Sequence, residues 1–385
     1  MRIGLLTIFR CVNYGAVLQA TALKEVLSRQ FPNATIDVIN HYMDPRDNHL
    51  LGKITNPNTP WFQRWRNKRK FQKQFYRPDF FETRRERTIQ FINKLLTPTE
   101  YIFKTPEALG KLQPYDVVIV GSDQIWNPVL NHDFKINPYL CTTIPEKQRR
   151  VSYAASFGIG TLPEEVKASF RAALSKFDVI TVREETGATI CEELLNTRPP
   201  VVVDPTMLLN EQGWRNILSS LGHNGESVEK NYLFAYWVRT PTQADIDALS
   251  AHAQRAGLPI HLLVAGQLPK LDVPENVLPK TDSGPCEWLA QLAESDGVIT
   301  DGFHGLQFAV NFSKPVLALG ELTNVKSDAS RLTDFCARCG IANACAEIQE
   351  FRAGKPCTLV PINDPSVLDE GRVRSTQLLK EMVEA

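Results

Sequence analysis

Two doubly wound, Rossmann-like α/β domains facing one another across a cleft are the fold this sequence predicts, and three observations carry the prediction. The chain has 385 residues, roughly twice the usual length of a single domain. Hydrophobic residues make up 43% and charged residues 22% of it, a globular balance that argues against long disordered, collagen-like or charged segments. Short apolar runs alternate with amphipathic helical stretches along most of the chain, which is the grammar of parallel sheets.

Residues 2–8 read as a buried strand. Asn13-Tyr14-Gly15 turns the chain into an amphipathic helix from Ala16 to Arg29, with Leu18, Ala22, Leu23, Val26 and Leu27 on one side. Thr35–Asn40 is the next strand, and the same pattern returns at Asp116–Gly121, Arg150–Ala155, Val179–Val182 and Pro200–Asp204. Together these predict a first domain over 1–205, carrying a basic, aromatic insertion at 55–95. After the Asp204-Pro205 stop and the polar stretch 220–230, strands at 232–238, 259–265, 297–300 and 315–319 alternate with helices at 242–256, 286–295 and 304–312, giving a second domain over 206–363. A helix in the tail 364–385 follows the completed second sheet and is expected to be able to pack back on the first domain.

Composition excludes several classes of function. Lys plus Arg and Asp plus Glu both number 43, so no global field attracts nucleic acid, and no nucleic-acid partner is expected. The apolar start is interrupted by Arg10, too early for a signal segment, and no apolar run of about 18 residues follows, so a cytoplasmic location is expected. Eight cysteines are scattered along the chain without forming a disulfide framework. Those at 336, 339, 345 and 357 match no zinc spacing, and no metal is expected. Gly158-Ile-Gly160 is not read as a dinucleotide loop, because Pro163 follows where a third glycine is needed. Asp245 and Asp247 fall within an amphipathic helix and read as its solvated face.

Residues 61–87 break the pattern, with a net charge of +7 interleaved with Trp61, Phe62, Trp65, Phe71, Phe75, Tyr76, Phe80 and Phe81. Trp61 with Trp65 and Phe71 with Phe75 have helical spacing. Two readings stand side by side. The segment meets an anionic membrane surface or a diphosphate-linked acceptor, or it is an insertion whose aromatics pack on the domain while its cations stay solvated.

Three strand ends carry chemistry-bearing residues. In Thr300-Asp301-Gly302-Phe303-His304-Gly305 a strand gives way to a helix, whose first-turn amides form an anion site and whose histidine can deliver a proton. The alternative is a structural histidine. Arg183, at the end of the strand Val179–Val182, can grip a carboxylate or phosphate with two parallel bonds, or instead pair with Glu184 or Glu185. Gly121-Ser122-Asp123-Gln124-Ile125-Trp126-Asn127 gathers a carboxylate, amides and an indole, which suit sugar hydroxyls and ring faces, or else caps the next helix.

Asn13-Tyr14-Gly15-Ala16 with Leu18-Gln19-Ala20, the Gly121–Asn127 loop, Ser152-Tyr-Ala-Ala-Ser-Phe-Gly158, Val182-Arg-Glu-Glu185, Val203-Asp-Pro-Thr206 and Thr300–Gly305 together resemble the polysaccharide pyruvyl transferase family, in the family's order over residues 2 to 335. The resemblance implies a GT-B-like fold, with the acceptor on the first domain and the donor on the second. It implies transfer from phosphoenolpyruvate to two hydroxyls of a glycan, forming a pyruvate ketal, in cell-surface polysaccharide biosynthesis. His304 is then the catalytic acid and Asp123 the base. Arg183, Gly305, Ser330 and Arg331 bind the donor, while Asn13, Tyr14, Gln124, Trp126 and Asn127 bind the acceptor, lipid-diphosphate-linked on one reading. Phosphoenolpyruvate is a co-substrate and no further cofactor is expected. Gly302 departs from the Ser or Arg usual in relatives, and Thr21 from a frequent Tyr. A nucleotide-sugar glycosyltransferase and a non-catalytic glycan-binding protein are the alternatives.

Overall fold

The computed structural model describes residues 1–41, 60–63, 65–66, 75, 80–129, 137–223, 229–322, 330–364 and 366–385. Its first half runs β1 (Arg2–Leu6), α1 (Tyr14–Gln30), β2 (Thr35–Val38), α2 (Phe80–Phe91), β3 (Val117–Val120), β4 (Arg150–Ala155), α3 (Glu164–Leu174), β5 (Val179–Val182), α4 (Glu185–Leu195), α5 (Pro205–Leu208) and α6 (Glu211–Ser220). The second half runs β6 (Leu233–Trp237), α7 (Gln243–Ala256), β7 (Ile260–Val264), β8 (Val277–Pro279), α8 (Pro285–Glu294), β9 (Gly297–Thr300), α9 (Phe303–Asn311), β10 (Val316–Gly320), α10 (Ser330–Arg338), β11 (Cys345–Glu347), α11 (Ile348–Arg352) and α12 (Val367–Glu384).

Both sheets are parallel throughout the described residues, with orders β2-β1-β3-β4-β5 and β11-β10-β9-β6-β7-β8. Continuous apolar runs such as Val117–Val120, buried at every position, are what a sheet covered on both faces requires. The two doubly wound α/β domains are therefore present. Pro200–Asp204 does not form the expected strand. Pro199 and Pro200 lack N–H groups, so Val201 makes only an isolated bridge to Val182 before Asp204 caps α5. The short strands β8 and β11 were not anticipated, because three residues are too few to show a period.

Packing across the two halves is tight, and one hydrophobic cluster runs from Ile3 through Trp288 to Val383. At its centre Tyr14 stacks on Trp288, with ring centroids 5.8 Å apart and planes 12° from parallel. Helix α12 returns to the first half, where Gln30 donates to Thr376 O at 2.8 Å and Val203 N to Ser375 Oγ at 3.0 Å. Asp245 corrects the solvated-face reading. It is fully buried, closes a capping box with Thr242, and takes Arg352 Nε and Nη2 at 2.8 and 3.0 Å, whereas Asp247 is exposed.

Candidate active site

Ligands of open parallel sheets bind beyond the carboxyl ends of the strands, where the strand order reverses. Those points fall between β1 and β3 in one sheet and between β6 and β9 in the other. Gln19 fixes the first of them. Its Nε2 donates to Thr7 Oγ1, Ile8 O and Ala16 O at 2.8, 3.1 and 2.9 Å, and its Oε1 accepts from Ser122 N at 3.0 Å. The Leu18-Gln19-Ala20 motif thus ties β1, α1 and the loop after β3 into one edge. Facing it, Asp301 closes the second edge by accepting from Val238 N at 2.5 Å and from Arg239 N and Nε at 3.1 and 3.0 Å. Burial pushes the Asp301 carboxyl up even against these donors.

His304 lies in the first turn of α9, whose leading amides have no intrahelical acceptor. Helix α1 approaches it end-on. A Cβ at Gly15 would fall 2.1 Å from His304 Nδ1, so only glycine fits here. On the ring's other side, Nε2 is closed to solvent and 3.6 Å from Asp204 Oδ2, an ion-pair rather than a hydrogen-bond distance. The Asp204 carboxylate is fully buried. Its Oδ1 accepts from Thr206 N and Oγ1 at 2.9 and 2.7 Å, and its Oδ2 from Arg183 Nη1 at 2.8 Å. Burial alone would raise this carboxyl, but the His304 imidazole and the Arg183 guanidinium hold it well below the usual carboxylate range. Asp204 was not among the expected site residues. Its position at the end of an apolar run, before a proline, was the available signal.

Arg183 was expected on the donor. Instead its side chain is 1% exposed, between Asp204, Glu184 at 3.6 Å and Asp123 at 3.9 Å, with its Cζ 5.0 Å from the centre of the Phe303 ring. Burial works against this charge, and the three carboxylates more than offset it, raising its pKa. The guanidinium stands behind the wall of the site. Arg331 approaches the same ring from another position, with its Cζ 5.5 Å from the ring centre. With the Gln124 amide oxygen turned toward it, Arg331 Nη1 and Nη2 lie 3.0 and 3.1 Å away, joining α10 to the loop after β3. Ser330 begins α10. Gly305 packs backwards, where a Cβ would meet Thr300 Oγ1 at 2.4 Å, so its contribution to the site is its amide.

Several residues expected to face a sugar do not. Tyr14 is 1% exposed and donates its hydroxyl to Ser283 O at 2.6 Å. Trp126 is fully buried, its Nε1 donating to Tyr139 O at 3.1 Å. Both are large apolar rings that the closing cores absorbed. Asn127 is buried, its amide 2.7 Å from that of Gln124 and its Oδ1 accepting from Val129 N at 2.9 Å. Asn13 caps α1 by accepting from Gly15 N at 3.1 Å. Asp123 remains at the mouth, 14% exposed, accepting from Gln124 N at 2.8 Å.

Much of the basic, aromatic stretch lies outside the described residues, including Phe71 and Tyr76. Within it, Trp61, Phe62 and Trp65 are 74%, 53% and 55% exposed. Arg84 is buried and donates to the carbonyls of Val264, Ala265 and Gly266, while Arg87 pairs with Asp282 and Glu287. Those two cations serve the second half of the chain. Among the described residues no helix is long and apolar enough to cross a membrane, and no group of three or more His, Cys, Asp or Glu is arranged to hold a metal ion.

The model of the family described as polysaccharide pyruvyl transferase matches residues 13–322. No curated protein is similar enough to match. Among solved structures, the UDP-GlcNAc 2-epimerase from Methanocaldococcus jannaschii is 10% identical over 96% of this chain and 91% of its own, with a TM-score of 0.45. The UDP-N-acetylglucosamine 2-epimerase from Rickettsia bellii is 10% identical over 99% and 95%, with a TM-score of 0.47. The E. coli ADP-heptose lps heptosyltransferase II is 10% identical over 100% and 98%, with a TM-score of 0.33.

Proposed function

This chain belongs to the polysaccharide pyruvyl transferase family, and from that premise we propose that it transfers the pyruvyl group of phosphoenolpyruvate to two hydroxyls of a glycan sugar, closing a pyruvate ketal and releasing inorganic phosphate. The observation that carries the reading is His304, at the first turn of a helix on the carboxyl edge of the second sheet, with one ring nitrogen against a buried carboxylate.

The donor brings a phosphate and a carboxylate. The amides of Phe303, His304 and Gly305, with the Arg331 guanidinium, suit both groups. Imidazolium at His304 gives its proton to the methylene carbon, C2 takes oxocarbenium character, and the first sugar hydroxyl adds there. Asp123, at the mouth of the cleft, accepts that hydroxyl's proton. Phosphate then leaves with the C2–O electron pair, and the second hydroxyl closes the ketal while its proton passes to phosphate. The sum is phosphoenolpyruvate plus a diol giving ketal plus phosphate. Arg183 acts from behind, holding Asp204 ionised beside the histidine.

The test is phosphate release from phosphoenolpyruvate with a panel of lipid-diphosphate hexoses, in deuterated water. The reading expects solvent deuterium in the ketal methyl group. Release of a nucleoside diphosphate from a nucleotide sugar, with phosphoenolpyruvate inert, would overturn it. For a lipid-linked acceptor, exposed Trp61 and Trp65 are the contact surface. Cosedimentation with anionic vesicles should fall on their replacement by Ala and at high salt; indifference to both would remove that role.

A further inference from the structure

We propose that Asp204 is a positioning residue acting through His304: it fixes the imidazole as its Nε2–H tautomer, which leaves Nδ1, beside Gly15, as the nitrogen that exchanges a proton with substrate. The inference rests on the reading of His304 as the reacting side chain.

Carboxylate geometry carries the argument. Asp204 Oδ1 is occupied by the Thr206 amide and hydroxyl, at 2.9 and 2.7 Å. Oδ2 takes Arg183 Nη1 at 2.8 Å and faces His304 Nε2 at 3.6 Å. Every neighbour of this carboxylate is thus a donor, and an ionised carboxylate can only accept. The ring nitrogen facing it must therefore carry the proton, and a neutral imidazole has only one to place. Nε2 is also shut off from solvent. Asp123 and Glu184 lie near this group, but both face Arg183, which separates their charge from the ring.

Nδ1 is the other end of the device. A side chain at position 15 would collide with the ring there, since a Cβ would sit 2.1 Å from Nδ1, 2.4 Å from Cγ and 2.8 Å from Cε1. Asn13 holds that turn in place by accepting from Gly15 N at 3.1 Å. Two short motifs from the first domain and one from the second thus meet at a single imidazole. Asp204 fixes its protonation and Gly15 leaves room for the ring. When the ring is protonated, the Nε2 proton stays with Asp204 and the Nδ1 proton is the one delivered.

Nitrogen NMR of the full chain carrying labelled histidine tests this, with the His304 signals assigned by their loss in His304→Gln. With its imidazole neutral, at alkaline pH, the parent should show a protonated Nε2 and a bare Nδ1. The opposite tautomer would overturn the proposal, and this reading does not depend on which donor the enzyme uses. Asp204→Asn should mix the tautomers and lower kcat on the order of a hundredfold to ten-thousandfold, with KM for phosphoenolpyruvate little changed. If that variant does not fold, Thr206→Val removes one donor from the carboxylate at constant charge, and it should shift the tautomer ratio and lower kcat in the same direction. Gly15→Ala should lower kcat while keeping the Nε2–H tautomer. Parental kcat and tautomer in a folded Asp204→Asn or Thr206→Val protein would overturn the role of Asp204. Loss of phosphoenolpyruvate turnover in the parent, with the tautomer as expected, would count against the pyruvyl-transfer reading alone.

Discussion

Two arginines flank the same phenylalanine ring in different surroundings. Arg183, 5.0 Å from the centre of the Phe303 ring, is sealed among three carboxylates of the first half of the chain. Arg331, 5.5 Å from it, is half-buried and meets the neutral amide of Gln124. A guanidinium surrounded by carboxylates has its charge met by them and organises what lies around it. The pair teaches that residue type and strand-end position nominate a binding arginine, while its neighbours decide whether it binds substrate or positions other groups.

His304, one residue along from Phe303, should give the largest effect. His304→Gln should lower turnover on the order of a hundredfold to ten-thousandfold, because an amide can hydrogen-bond but cannot deliver a proton at neutral pH. Single-turnover measurement of phosphate release reads this. Parental turnover would remove the acid and the comparison built around it.

Arg183→Leu comes next, at about 3–5 kcal/mol of stability, since it strands a buried carboxylate. Denaturant unfolding measures it. A variant that keeps parental stability and loses only affinity for phosphoenolpyruvate would reverse the comparison and return Arg183 to the donor.

For Arg331→Leu the expected change in stability stays within about 1 kcal/mol. KM for phosphoenolpyruvate should rise about tenfold to a hundredfold, matching the loss of about 1.5–3 kcal/mol from a hydrogen bond to a charged group. Steady-state kinetics beside an unfolding curve separates the two arginines directly.

The smallest effect is in acid. Asp204 titrates below the ordinary carboxylate range when folded. Its contribution is therefore complete above about pH 4 and is lost as pH falls further, through the folded value. His41, lowered to about 4 by burial, is lost earlier, between about pH 6.5 and 4, because only the unfolded chain takes up its proton there. Removing Arg183 removes one of the cations that hold Asp204 down. The loss in Arg183→Leu should thus begin at higher pH than in the parent, whereas Arg331→Leu should follow the parental profile. Unfolding curves between pH 3 and 7 check this; identical profiles for the two variants would separate Asp204 from Arg183.

The elements were legible because their signals are local. The apolar periods of α1 and α7, and the four-residue run of β3, are set by side-chain spacing along the chain. Where proline removed the donors, at Pro199 and Pro200, the apolar run Val201–Val203 misled, because an apolar run does not show whether its amides can pair. The helix start at Asn13 and the strand end at Thr300 were equally visible, as was the position of His304 just beyond it.

Which residues of a loop turn outward was not visible. Tyr14 and Trp126 have the composition of sugar-binding platforms, yet the space beside them is filled by Trp288 and Phe157, so burial took both rings. Asp204 carries no periodic signal at all. Its importance comes from Arg183, 21 residues before it, and His304 in the other half of the chain. The sequence by itself determined the two parallel sheets and placed a histidine and two arginines at or beyond their strand ends, because hydrogen-bonding pattern and side-chain period are properties of neighbours in the chain. Only the tertiary structure decided that Arg183 faces inward, that Gly15 leaves room for His304, and that a buried carboxylate lies against its imidazole. Those outcomes depend on how closely the ends of α1 and α9 approach, and that distance is set by the packed rings of Tyr14, Tyr236 and Trp288 between them.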